Sequence, residues 1–260
     1  MAQYIIRWMF HRTRRVAAAV VALAFAGCAN PLGRQYEYEE QLYLSVNGSA
    51  TVIVDASIPA LVALRNVALD PAPNAQADRE EIRQTLASAG CGDVRVGQPW
   101  RRKGRRFVQV RISTDDVRAL SSCALLSWST YALGKDPDGT LRFTETVGAP
   151  DGGNPGKVNW TGEEIVGFKL HLPSRILEHN VKRLPDGQNG AVERGNILTW
   201  EQRLTDRMAG KPIEMRVRVE SESILYRTLW LFAGAFALAL VVLAMIVWLT
   251  MRRGRKAAAG

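Results

Sequence analysis

The chain has 260 residues and a formal net charge of +9, a value that by itself is typical of nucleic-acid-binding proteins. The excess is confined to the ends, because residues 1–28 and 227–260 together carry nine of the 34 Lys and Arg residues and none of the 25 acidic residues. The remaining 25 bases balance the 25 acids, so the net charge of the central region gives no support for DNA or RNA binding.

Residues 1–28 have the pattern of an export signal. Basic residues precede the apolar run Val16–Gly27, which is too short to cross a bilayer as a helix. Small residues then lead to Cys28, as in the lipobox of bacterial lipoproteins, and lipidation of Cys28 is the preferred interpretation. Ordinary cleavage after Ala26 is the alternative. Both interpretations predict that residues 29–226 form an exported domain.

Three hairpins are predicted in the first two thirds of that domain. Residues 36–56 alternate polar and apolar side chains around Asn47-Gly48, two residues that tolerate the positive φ angles of a tight turn. Residues 93–113 and 126–147 show the same strand–turn–strand pattern. Helices are predicted from apolar runs and capping residues at 58–68, 79–89, 117–122 and 202–208. Further strands are predicted at 165–172, 196–201 and 212–222, with a Gly- and Pro-rich loop at 148–158 and another loop around 184–195. The fold class that follows is α+β, rich in antiparallel hairpins with a few packed helices.

The turn of the second hairpin is strongly basic. Its candidate contact residues for an anion or a lipid are Trp100, Arg101, Arg102, Lys103, Arg105 and Arg106. Lipid phosphates or an anionic envelope glycan would be attracted to such a turn, with each base contributing about 1 kcal/mol near an anionic surface. The alternative is a solvated turn that protects a sheet edge.

Cys91 and Cys123 are the two cysteines of the central region. An oxidising compartment would allow them to form a disulfide. Two buried free thiols are the alternative, since the sequence does not give the separation of the two Cα atoms.

The C-terminal segment predicts one transmembrane helix within residues 227–251. Leu229–Met251 contains 23 residues without a charge, about 34 Å of helix, which is enough to span a bilayer with some tilt. Four bases follow within the tail, residues 252–260. A basic flank marks the cytoplasmic side, so the sequence predicts a single-pass protein of the plasma (inner) membrane with an extracytoplasmic domain.

Five features point to one family: the lipobox-like start, residues 36–40, 168–174 and 195–200, and the closing transmembrane helix. Together they resemble the LppM-like bacterial envelope proteins. This resemblance implies a mixed, β-rich extracytoplasmic domain that binds envelope lipids or glycolipids. The resemblance supplies no catalytic residues.

Motifs for catalysis or metal binding are missing from the sequence. His171 and His179 are not part of a Cys/His/Glu cluster at ligand spacing, and no Gly-x-Ser-x-Gly or Ser-x-x-Lys motif occurs. We therefore expect no enzymatic activity, no metal, no cofactor and no nucleic-acid partner. The resulting hypothesis is a membrane-anchored module that binds envelope lipids or glycolipids. A scaffold or accessory subunit of an envelope complex is the alternative, and an envelope hydrolase is the third.

Overall fold

The computed structural model describes residues 35–76, 78–181, 191–193 and 196–257, without the side chains of 191–193, Arg227 and 252–257. The predicted export signal, residues 1–28 with Cys28, lies outside the described residues, as does most of the predicted loop at 184–195.

Twelve strands form two sheets in the described part of the chain. The strands are β1 (Tyr36–Leu44), β2 (Ala50–Ser57), β3 (Asp93–Val96), β4 (Trp100–Arg102), β5 (Arg105–Thr114), β6 (Ser129–Lys135), β7 (Leu141–Val147), β8 (Ile165–His171), β9 (Ile176–His179), β10 (Ala191–Glu193), β11 (Ile197–Arg203) and β12 (Ile213–Val219). Sheet A has the order β10-β11-β8-β1-β2-β5-β3, with β4 also paired to β5. Sheet B has the order β6-β7-β12-β9.

The predicted hairpins are confirmed as antiparallel pairs. β1 pairs with β2 across Asn47-Gly48, where Gly48 has a φ of 89°. β3 and β4 both pair with β5, and β6 pairs with β7. The sheets also contain pairings that hairpins do not provide. β1 lies parallel to β8, so the mixed sheet A joins the first strand of the domain to its last third.

Four helices accompany the sheets in the described residues. They are α1 (Ile58–Arg65), α2 (Arg79–Leu86), α3 (Leu204–Met208) and α4 (Ile224–Ala257). Ser57 caps α1 by accepting a hydrogen bond from the Ala60 amide, and Asn66 ends the helix in the left-handed conformation. All eight residues of α1 are buried, so it is a core helix and not an amphipathic surface helix. The predicted helix at 117–122 is a 3₁₀ segment, Val117–Ser122.

The two sheets share one hydrophobic core. Alternate residues of β1, including Leu42, and of β7, including Phe143, belong to the same buried cluster. Trp128, just before β6, packs edge-on to Tyr38 of sheet A, with ring centroids 5.3 Å apart, and also contacts Phe168 at 5.7 Å. Sheet B therefore closes over one face of sheet A.

Among the described residues, α4 is the one helix long and apolar enough to cross a membrane, over Ile224–Met251. Its described side chains are exposed along this length, so they do not pack on the domain. The helix begins five residues earlier than the predicted apolar run, since the spacer before Leu229 is already helical. The Ile224 amide donates to the Pro173 carbonyl at 3.0 Å, which fixes the start of the helix next to the end of β8.

Strand register defines which end of sheet A is nearest to α4. Pro173 follows β8, and His171 at the end of β8 is level with Tyr43 in β1. Ala50 of β2 and Thr114 of β5 are paired at the same end. We call this the helix end of sheet A, and the opposite end, where Ser57 pairs with Phe107, the distal end.

Candidate functional site

The basic turn of the second hairpin lies at the distal end. Lys103 and Gly104 connect β4 to β5 with φ angles of 48° and 75°, as in a two-residue turn with positive φ at both positions. β5 then runs from Arg105 to Thr114 at the helix end. At about 3.3 Å per residue, the turn lies about 30 Å from the end where α4 begins.

Three of the five turn cations are used inside the protein. The guanidinium of Arg105, which is 9% exposed, binds the buried carboxylate of Glu37, with Nη2 at 3.0 Å from Oε2 and Nε at 2.9 Å from Oε1. Arg106 donates to the carbonyls of Asp70 and Ala72. Arg102 donates to a β1 carbonyl, and its guanidinium carbon lies 4.1 Å from the centroid of the Phe107 ring.

The candidate anion-contact residues are therefore not one exposed patch. Arg105 and Arg106 are buried and Arg102 is half-buried, while Arg101 and Lys103 are exposed. Trp100 is 37% exposed and stacks on Phe107. Charge density in the sequence overestimates the surface charge of this turn, because the sequence does not show the acceptors that the arginines reach.

A first testable consequence concerns the turn itself. Lys103 is a non-glycine residue at positive φ, a conformation that costs most L-residues about 1–2 kcal/mol. Lys103→Asn is expected to raise the free energy of unfolding by about 0.5 kcal/mol, since Asn-Gly is the preferred sequence for this turn. Urea unfolding followed by tryptophan fluorescence measures the change. A loss of stability would show that the Lys103 side chain makes a stabilising contact in solution.

A cleft of about 430 Å³ opens at the helix end of sheet A. The β1–β2 turn, the end of β5 and the start of β3 surround it. Six of its ten lining residues carry a hydroxyl group and two carry a carboxylate, and none carries a positive charge. The lining consists of Tyr43, Leu44, Ser45, Ser49, Ala50, Thr51, Asp93, Ser113, Thr114 and Asp115.

The aromatic wall of this cleft is held in place by neighbouring side chains. The Tyr43 ring stacks on His171 with a centroid distance of 4.0 Å and an interplanar angle of 12°. Gln41 Oε1 lies 3.1 Å from the Tyr43 hydroxyl, which donates to it, and 3.2 Å from His171 Nε2. His171 thus positions Tyr43 and is part of no metal-ligand cluster. No group of three or more His, Cys, Asp or Glu side chains in the described ranges is arranged to hold a metal.

No motif in the sequence indicates this cleft. Its hydroxyl residues come from three separate segments, the end of β1, the start of β2 and the end of β5, and β3 adds Asp93. The β1–β2, β2–β5 and β3–β5 pairings bring these segments together. The signal for the cleft in the sequence is that Ser and Thr occur at the ends of strands that otherwise carry Val, Ile and Leu.

A second polar group is buried between the sheets. Glu40 of β1 and Glu145 of β7 are each 2% exposed, and each lies among apolar neighbours. Burial raises the pKa of Glu40, and burial together with the Glu40 charge raises the pKa of Glu145 well above its usual range. In such a site, the protonated form of at least one of the two carboxyl groups is favoured.

Cys91 and Cys123 are joined by a disulfide, with their Cα atoms 4.1 Å apart. The bond links the turn after α2 to the residue that follows the 3₁₀ segment. Gly90 lies close to the Ser122 carbonyl in the same region, so the two segments are in direct contact.

Comparisons with known proteins give no assignment. No protein-family model matches the chain, and no curated protein or solved structure is found to match it. The resemblance to the LppM-like envelope proteins stays a prediction from the sequence.

Proposed function

We propose that the protein is an extracytoplasmic binding module, anchored by α4, that holds the polar head group of an envelope glycolipid in the cleft at the helix end of sheet A. The observation that carries this proposal is the location of a hydroxyl- and carboxylate-lined cleft at the end of the domain where the membrane helix begins. The proposal is a binding role and includes no reaction.

The chemistry of the lining favours a sugar over a phosphate. Sugar hydroxyls are both donors and acceptors, and they pair with carboxylates and with Ser, Thr and Tyr hydroxyls. A phosphate would approach Asp93 and Asp115 without a compensating base from the lining. The flat face of Tyr43, which is fixed by His171, provides a surface for the apolar side of a sugar ring.

The distance from the membrane favours the cleft over the basic turn as the site of lipid recognition. The turn lies about 30 Å along β5 from the helix end, so a lipid in the bilayer that holds α4 would reach the cleft first.

The membrane orientation is supported by two features. The bases that follow Met251 favour a cytoplasmic C-terminus. The Cys91–Cys123 disulfide suits an oxidising compartment for the domain. Lipidation of Cys28 would add a second attachment on the same side of the membrane.

Native mass spectrometry of the detergent-solubilised full chain tests the ligand class. We expect adducts with diglucosyl diacylglycerol to exceed those with phosphatidylglycerol at equal concentration. The double variant Asp93→Asn/Asp115→Asn is expected to weaken glycolipid binding about tenfold, since each lost charge-assisted hydrogen bond costs about 1.5–3 kcal/mol and neutral amides recover part of that.

The matched control is Arg101→Ala/Lys103→Ala, which removes the two exposed cations of the distal turn. It is expected to leave glycolipid binding unchanged. If the wild-type protein instead preferred phosphatidylglycerol and this control variant lost that preference, the anion contact at the turn would be established. No difference between the lipids in any variant would contradict the binding proposal and favour the scaffold.

A further inference from the structure

The carboxyl groups of Glu40 in sheet A and Glu145 in sheet B are both buried, and the Glu40 charge acts on Glu145. Tyr131 of β6 lies directly opposite Glu145 in the β6–β7 pair. The Tyr131 hydroxyl donates to Glu40 Oε1 at 3.2 Å, across the interface between the sheets. Tyr38 donates to the other oxygen, Oε2, at 3.0 Å. Glu40 therefore connects sheet A to sheet B through one hydroxyl group.

The charged groups around this pair do not neutralise both carboxylates. Arg65 of α1 attracts Glu40, but its guanidinium also binds the carbonyls of Leu125 and Ala124 and forms an ion pair with Asp151. Arg207 of α3 donates to the Gly148 carbonyl and lies 5.3 Å from the Trp128 ring centroid. Tyr38 and Tyr131 are the other titratable groups that face the pair, and burial raises the pKa of each well above its ordinary value.

Hydrogen bonding around Glu145 is incomplete. Among the described residues, Glu145 Oε1 is buried without a well-formed hydrogen bond, and the same holds for the neighbouring Ser129 hydroxyl. A protonated carboxyl tolerates such a site, whereas an ionised one loses its hydration with little in return. The geometry thus disfavours ionisation of both members at once.

We propose that Glu40 and Glu145 form a proton-operated latch between the two sheets, closed while the pair holds a proton and opened when the last proton leaves. Opening separates two like charges and admits water beside Tyr131. Sheet B contains β12, which leads to α4 within five residues of Val219. The latch therefore controls how tightly the strand next to the membrane anchor is held against the rest of the domain.

The direction of the pH effect follows from the raised pKa values. A carboxyl group whose pKa is higher in the folded protein than in the unfolded chain binds more protons when folded, so stability falls as pH rises between the two values. The stabilising contribution of the protonated pair is complete below the pKa of Glu in the unfolded chain, about 4.3. It is lost by the pH at which the pair has ionised in the folded protein.

Hydrogen exchange of the full chain in nanodiscs, corrected for the intrinsic exchange rate at each pH, tests the latch. In the wild-type protein, the protection of the β6 and β7 amides is expected to fall as pH rises between the unfolded and the folded pKa values of the pair. The fall is about tenfold for each pH unit in that range. Glu145→Gln removes one carboxyl at nearly the same size, and protection is expected to stay constant between pH 6 and pH 9 to within about twofold.

Two further variants make the outcome decisive. Glu40→Gln removes the Glu40 charge but leaves Glu145 buried, so the fall in protection is expected to move to lower pH than in the wild type. This variant tests the pair from the other sheet. Glu214→Gln removes an exposed carboxyl of β12 and is expected to keep the wild-type dependence. Equal pH dependence in wild type, Glu145→Gln and Glu40→Gln would overturn the proposal, as would a flat wild-type profile.

Discussion

Replacing Arg105 by Met is expected to lower the free energy of unfolding by about 3–5 kcal/mol, because the change leaves the Glu37 carboxylate buried without its cation. Glu37 also accepts hydrogen bonds from the Ser57 hydroxyl at 2.5 Å and from Trp160 Nε1 at 3.0 Å. These neutral donors do not replace the charge of the guanidinium. The Arg105 contact with the Asn159 carbonyl would be lost as well. Urea unfolding of the detergent-solubilised full chain measures the change.

A double variant separates the buried charge from the loss of packing. Glu37→Gln/Arg105→Met is expected to recover part of the loss, since the uncompensated carboxylate is then absent. Arg101→Met, on the paired strand, is the surface control and is expected to change stability by less than about 0.5 kcal/mol. Equal small losses in Arg105→Met and Arg101→Met would contradict the buried ion pair and support the solvated turn considered from the sequence.

The residues of this ion pair show what the sequence does not reveal about the basic turn. Glu37 and Arg105 are 68 residues apart, and they meet because β1 and β5 flank β2 in sheet A. Local patterns predicted each hairpin, since a tight turn and alternating side chains act over a few residues. The parallel pairing of β1 with β8, by contrast, depends on contacts across more than 120 positions and has no local signal.

The buried carboxyl pair was closer to being predictable. Glu40 shares the inward face of β1 with Tyr38 and Leu42, and Glu145 shares that of β7 with Phe143 and Val147. An acid at an apolar position of a strand is unusual, and two such acids suggest a common site. What the sequence lacked was the packing of sheet B on sheet A, which brings the two faces together.

The loop at 148–158 was predicted only as a Gly- and Pro-rich connection, yet it is a packed element. The Asp151 and Gly153 amides donate to the carbonyls of Leu64 and Ala63 at the end of α1. The Asp151 carboxylate pairs with Arg65, the cation that faces Glu40. The loop thereby links the end of α1 to the charge balance of the core.

Gly153→Ala is expected to detach this loop and to lower the free energy of unfolding by about 2–4 kcal/mol, a cost typical of overpacking combined with lost hydrogen bonds. A Cβ atom at position 153 would lie 2.1 Å from the Val62 carbonyl oxygen, which belongs to a buried helix and cannot move aside. Position 153 therefore requires glycine, because there is no space for a side chain. Urea unfolding gives the loss, and faster hydrogen exchange at the C-terminal end of α1 locates it.

Gly156→Ala in the same loop is the matched control, because the two glycines are needed for different reasons. Gly156 has a φ of 69° and open space around the missing Cβ, so alanine there costs only the left-handed conformation, about 1 kcal/mol. The difference between the two variants isolates the contact with α1. If Gly153→Ala cost no more than Gly156→Ala, the loop would not be docked on α1 in solution, and Arg65 would then face Glu40 without the competing charge of Asp151.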